Sequence, residues 1–140
     1  MSRDASKAVR RAGAGWGVAR VALGVAAIAV PPVVSRPWIG RDTSTGATVF
    51  ARALGVRDIA LGAGTAVSAR TGRGFTTWAL ASAAADAGDT LITRHHWPEL
   101  PRTRVAIAGL AGASAVAGVA LAVGEALVCR GNRRAAEGSS

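Results

Sequence analysis

Five ionisable residues stand inside stretches that are otherwise apolar: Arg52, Arg57 and Asp58 in one, Asp86 and Asp89 in the next. Carboxylates and guanidiniums in such surroundings can relay a proton or an ion, hold a polar substrate group, or simply pair with one another. Asp86 and Asp89 are at i and i+3, so on a helix they share one face. Arg57 and Asp58 are adjacent and point about 100° apart. If the two stretches are antiparallel helices joined by the short loop at 70–73, their levels bring Arg52 to Asp89 and Arg57 to Asp86. A structural clamp and a transport or substrate site would use the same five groups. Both readings stay open, because an ionisable residue within a bilayer raises the question of function by default.

The remaining reactive residues carry less. His95, His96 and Glu99 share a loop, but adjacent His side chains diverge and no third His or Cys is near, so no metal is expected. Gly62-Ala63-Gly64 lacks the G-K-[ST] of a phosphate loop, and Ser114 lacks a nucleophile-elbow context. No catalytic residue and no cofactor is expected. Cys129 is a single cysteine, which excludes a disulfide scaffold.

The elements that position these groups follow from the apolar runs. The chain has 140 residues, half of them hydrophobic, with 4% aromatic and 18% charged. Its 33 Ala and 18 Gly mean that the apolar mass is made of small side chains. Such residues bury little area in a water-driven core but suit the close contacts of helices in a bilayer. A spanning helix needs about 20 mostly apolar residues. Residues 105–124 contain no charge, and the composition predicts an all-α bundle of four spans at about 13–34, 47–69, 74–93 and 103–128. The second and third carry the five charges and need partners to neutralise them. The basic start followed by an apolar run also fits a signal peptide, but Pro31-Pro32 and the continuing Val33-Val34 favour an uncleaved first helix.

The net charge of +9 raises nucleic-acid binding as a rival. The cations are nearly all Arg, in short groups between apolar runs rather than on one face, and the Trp residues sit near run ends. No nucleic-acid partner is expected; the partners are the lipid bilayer and either a second copy of the chain or another membrane protein. Loops and tails on the side of both termini hold nine cations and the other side five, which predicts cytoplasmic termini in a bacterial inner membrane. Trp16 and Trp78 then fall at the inner interface, Trp38 and Trp97 at the outer. Residues 1–12 read as a basic tail and 129–140 as a basic, polar tail, disordered from Arg133 onward.

Arg20 lies about 10 Å inside the inner edge of the first span and is expected to snorkel to the headgroups. Glu125 is near the same surface, within reach of Arg20 or Arg130, and solvation accounts for it. Small residues at helix-packing spacing (Gly13 with Gly17, Ser114 with Gly118, Ala122 with Ala126, Ala84 with Gly88) are expected to pack the bundle internally.

The second span reads Arg52-Ala-Leu-Gly55-Val-Arg57-Asp58-Ile-Ala-Leu61-Gly62. This R-x-x-G-x-R-D-x-x-L-G element, followed by a helix with a late Asp, resembles a family of small four-helix bacterial membrane proteins that carries only a domain-of-unknown-function label. The resemblance covers residues 47–128 and implies the fold and a membrane location but no activity. The overall plan is loosely similar to DoxX-like membrane proteins. The expectation is a small integral membrane protein without catalysis. The alternatives are a transporter or ion-conducting subunit, and a membrane enzyme acting on a lipid-soluble substrate.

Overall fold

The computed structural model describes residues 3–41 and 44–137. Among them the chain is all-α: α1 (Arg3–Ala29), α2 (Pro32–Ile39), α3 (Thr45–Thr71), α4 (Phe75–His95), a single 3-10 turn (Trp97–Glu99) and α5 (Arg104–Glu137). Two of these helices, α1 over 4–29 and α5 over 104–131, are long and apolar enough to cross a membrane. The four spans expected from sequence are therefore four long helices of which α3 and α4 fall short of that criterion, since they carry the charged residues.

The breaks follow local chemistry. Pro31 has no N–H and disfavours helix in the residue before it, so α1 stops at Ala29 instead of running to 34. The chain restarts as α2, with Pro32 in its first turn, where a missing donor costs nothing. Ser44 caps α3 by accepting from the Ala47 amide at 3.2 Å. The turn into α4 is Gly72-Arg73-Gly74, both glycines at positive φ (74° and 69°), which lets three residues reverse the chain. At the ends the helices outrun the expected spans. The basic segment before residue 13 belongs to α1 from Arg3, and α5 continues to Glu137 through the segment expected to be disordered. Residues 138–140 of that tail lie outside the described ones.

α1 packs chiefly on α3 and α4 on α5; lighter contacts between α3 and α4 and between α5 and α1 close the ring, and α2 lies across one end against α3, α1 and α5. The α1–α3 seam is set by two reciprocal glycine pairs. A Cβ on Gly24 would lie 2.5 Å from the Gly55 carbonyl oxygen and one on Gly55 2.6 Å from that of Gly24; Gly17 and Gly62 repeat this one heptad away. Only glycine permits that backbone approach. Of the small residues singled out by spacing, Gly17 and Gly118 do sit in interfaces, Gly118 against Trp16 and the Ala79 carbonyl. Gly88 faces open space, so the Ala84–Gly88 pair is no contact surface.

Beside a core of small apolar residues and Phe75, the bundle buries an unusual share of polar and charged side chains under an apolar exterior. Its interior holds Arg20, Asp58, Thr65, Ser82, Asp86, Thr93 and Glu125 buried, while Val56 (61% exposed), Leu91 (68%), Leu110 (67%) and Val116 (70%) stand on the outside.

Candidate functional site

Each long helix contributes to one buried polar cluster at mid-length. Arg20 on α1 donates to both carboxylate oxygens of Asp86 on α4, at 2.7 and 2.6 Å, and through Nη2 to Asp58 on α3 at 3.0 Å. Arg57 on α3 makes the same fork to Asp89 on α4, at 2.8 and 2.7 Å, and a longer contact of 3.3 Å to Asp58. From α5, the Ser114 hydroxyl donates to Asp86 Oδ2 at 2.6 Å, and itself accepts from the Trp16 indole at 3.1 Å. The Arg20 guanidinium also lies 5.8 Å from the ring centroid of Trp16, one turn earlier on α1. Planar, bidentate pairs of this kind are what a guanidinium can make and an ammonium cannot.

These contacts correct the pairing expected from sequence. Arg57 meets Asp89, not Asp86, and the partner of Asp86 is Arg20, which is buried rather than snorkelled. α1 begins ten residues before the expected span, so Arg20 sits well up the helix and not near its inner edge. Arg52 is exposed on α3 and makes no ion pair with a described residue. Four of the five residues singled out therefore converge, and Arg52 does not. Spacing missed Arg20, Ser114 and Trp16. A signal for Arg20 was present in its flanks: Gly17 and Gly24 lie three residues before it and four after, and bring α3 against that stretch of α1.

Formal charges in the cluster do not cancel. Arg20 and Arg57 face Asp58, Asp86 and Asp89, leaving one negative charge in excess. Asp58 carries it least well, because both its arginine contacts go to Oδ1 and Oδ2 has no hydrogen bond to a described residue. Arg20 Nε and Arg57 Nε are buried without an acceptor. Beside the cluster is a cavity of about 170 Å³ whose floor is these charges and whose walls are Leu23, Val33, Val34, Trp38, Ile107 and Leu110. It lies on the α2 side of the cluster, where the Trp38 indole donates to Thr93 at 3.1 Å and packs edge-on to Phe50.

A separate ion pair, Arg10 with Glu125, closes the opposite end. Glu125 is 4% exposed and accepts from Arg10 Nε at 3.0 Å and from Arg10 Nη2, with the Cys129 thiol 3.7 Å away. Its partner is thus neither Arg20 nor Arg130, and it is not simply solvated. The Arg10 guanidinium also lies over Gly72 at the C-terminus of α3, where positive charge complements the helix dipole. Between the two ion-pair layers, the Thr65 and Ser82 hydroxyls meet at 3.3 Å across α3 and α4. In the loop before α5, His96 contacts Glu99 at 3.1 Å with both side chains exposed. Among the described residues no group of three His, Cys, Asp or Glu could hold a metal ion.

No protein-family model, no curated protein and no solved structure matches the chain.

Proposed function

We propose that the chain is a small integral membrane protein that crosses a bacterial inner membrane four times, with both termini cytoplasmic. Its Arg/Asp cluster is the device that holds α3 and α4 in the bundle. The observation that carries this reading is the burial of paired charges beneath an exterior of large apolar side chains. A bilayer offers no hydrophobic drive to bring helices together, so association there depends on close backbone packing and on interior hydrogen bonds. The glycine seam supplies the first and the two arginine forks the second. α3 and α4 fail as isolated spans because of Arg57, Asp58, Asp86 and Asp89, and these same groups face inward and are paired. What α3 and α4 turn outward includes Val49, Val56, Val67, Leu80, Leu91 and Ile92.

The motif in the second span has a physical content consistent with this reading. Gly55 and Gly62 are the α3 halves of the glycine seam, and Arg57 and Asp58 enter the cluster. A clamp of this kind needs no catalysis, no cofactor and no second chain, although a homo-oligomer or another membrane protein could sit on the apolar exterior.

The test is whether the protein, expressed in a bacterium, stays in the membrane pellet after alkaline carbonate extraction. Release into the supernatant would overturn the reading. The excess negative charge and its adjoining cavity favour a second reading, a transporter or cation-conducting subunit built on the same carboxylates.

A further inference from the structure

We infer that the cavity between α1, α2 and α5 is a binding site for a small organic ammonium ion, with its positive head at Asp58 and its apolar body against Leu23, Val33 and Leu110. The inference rests on the four-helix arrangement of the proposed reading and adds a ligand class to it.

Three features select that chemistry. The first is charge: two guanidiniums face three carboxylates, and in apolar surroundings the remaining negative charge calls for one further cation. The second is the unused acceptor. Asp58 lines the cavity with its side chain only 6% exposed, and Oδ2 has no described partner, whereas Asp86 and Asp89 each spend both oxygens on an arginine. An ammonium donates up to three hydrogen bonds and accepts none, so it satisfies a carboxylate without competing for the arginines. The third is the wall. At about 170 Å³ the cavity exceeds the roughly 150 Å³ that admits a benzene ring. Its lining beyond the charged floor is mostly aliphatic, which suits a hydrocarbon body better than a hydrated metal ion.

Access is lateral. Leu23, Val33 and Leu110 line the cavity and are also exposed on the outer face of the bundle, at 46%, 55% and 67%. An amphiphilic cation resident among lipid chains reaches Asp58 through that opening without crossing the polar ends. Both arginines meet Asp58 through Oδ1 alone, so Oδ2 is the carboxylate oxygen left for the cation. An anion is disfavoured, because it would add to the uncompensated charge.

The experiment uses the full chain in detergent, with benzylammonium as the probe and benzyl alcohol and phenylacetate as its neutral and anionic counterparts. Binding is measured by titration calorimetry at neutral pH. The expected result is saturable binding of benzylammonium at least tenfold tighter than benzyl alcohol, and no saturable binding of phenylacetate. Asp58→Asn is expected to remove the preference for the cation. Leu110→Trp, at an exposed position on the cavity wall that takes part in no ion pair, is expected to fill the opening and abolish binding while leaving the fold intact, which keeps the test decisive if Asp58→Asn accumulates poorly. Equal binding of the alcohol, binding of the anion, or undiminished binding in Leu110→Trp would each overturn the inference. So would the absence of saturable binding by the folded wild-type protein. Carbonate extraction reads the membrane placement separately, so failure of the site and failure of the membrane reading are distinguishable.

Discussion

Arg20 and Asp86 sit 66 positions apart in the chain and meet through a two-bond fork, both partners buried, where α1 faces α4 across the bundle axis. The contact joins two helices that are not neighbours in the ring, so it ties the bundle across its diagonal. Arg57 and Asp89 make a peripheral version of the same fork between ring neighbours, with Arg57 about one-third exposed. That difference makes the outer pair the better subject for substitution. Removing it whole leaves the excess charge of the cluster unchanged.

Arg57→Leu should destabilise the protein, because it leaves Asp89 without its partner, typically at a cost of about 3–5 kcal/mol. Asp89→Leu should cost less, because Arg57 keeps its contact to Asp58 and the charges then balance. The exposure of Arg57 puts this pair toward the low end. The double variant should recover most of the loss. Thermal unfolding in detergent and membrane-fraction abundance check this, and full stability in both single variants would show that the fork holds nothing.

The glycine seam makes a sharper prediction about packing. Gly55→Ala puts a methyl 2.6 Å from the Gly24 carbonyl oxygen, so the helices must separate. Overpacking of this sort costs about 1–3 kcal/mol. Gly88→Ala meets nothing within 4 Å and should be neutral or stabilising by up to about 1 kcal/mol, as alanine is the better helix former. The melting temperature should therefore fall for Gly55→Ala and not for Gly88→Ala, and an equal fall in both would contradict the α1–α3 register.

Glu125 is the buried anchor of the other end. Glu125→Ala leaves an Arg10 guanidinium that is 30% exposed and can be solvated, so a loss of about 1 kcal/mol is expected. Arg10→Ala leaves a buried carboxylate and should cost at least as much. Equal stability of Glu125→Ala and wild type would mean that solvent reaches this end freely.

Topology can be read in intact cells. In a Cys129→Ser background, Glu99→Cys in the exposed loop before α5 should react with an impermeant thiol reagent, and Gly131→Cys should react only after the membrane is opened. The reverse pattern would invert the orientation drawn from the nine-to-five distribution of cations.

By itself the sequence determined the helical character of the chain, the existence of four long helices and the residues whose charge had to be accommodated. Long runs of Ala, Val, Leu and Gly broken by Pro31 and by the Gly72–Gly74 turn permit little else, and Arg57, Asp58, Asp86 and Asp89 stood out because charge in an apolar run is costly. Part of the pairing was also accessible. Arg57 and Asp89 lie at equal separations of sixteen residues from Arg73, the centre of a minimal turn, and Thr65 and Ser82 nearly repeat that symmetry. Register counted from the turn leads to the observed fork; levels counted from assumed bilayer edges do not. The tertiary structure alone decided the rest. Arg20, Ser114 and Glu125 reach their partners across separations of 28 to 115 residues. Helical periodicity fixes the face on which a side chain stands but says nothing about which distant helix will cover it. Two pairs of glycines made that choice for Arg20, by letting α1 and α3 approach until a guanidinium on one could be enclosed by carboxylates from two others.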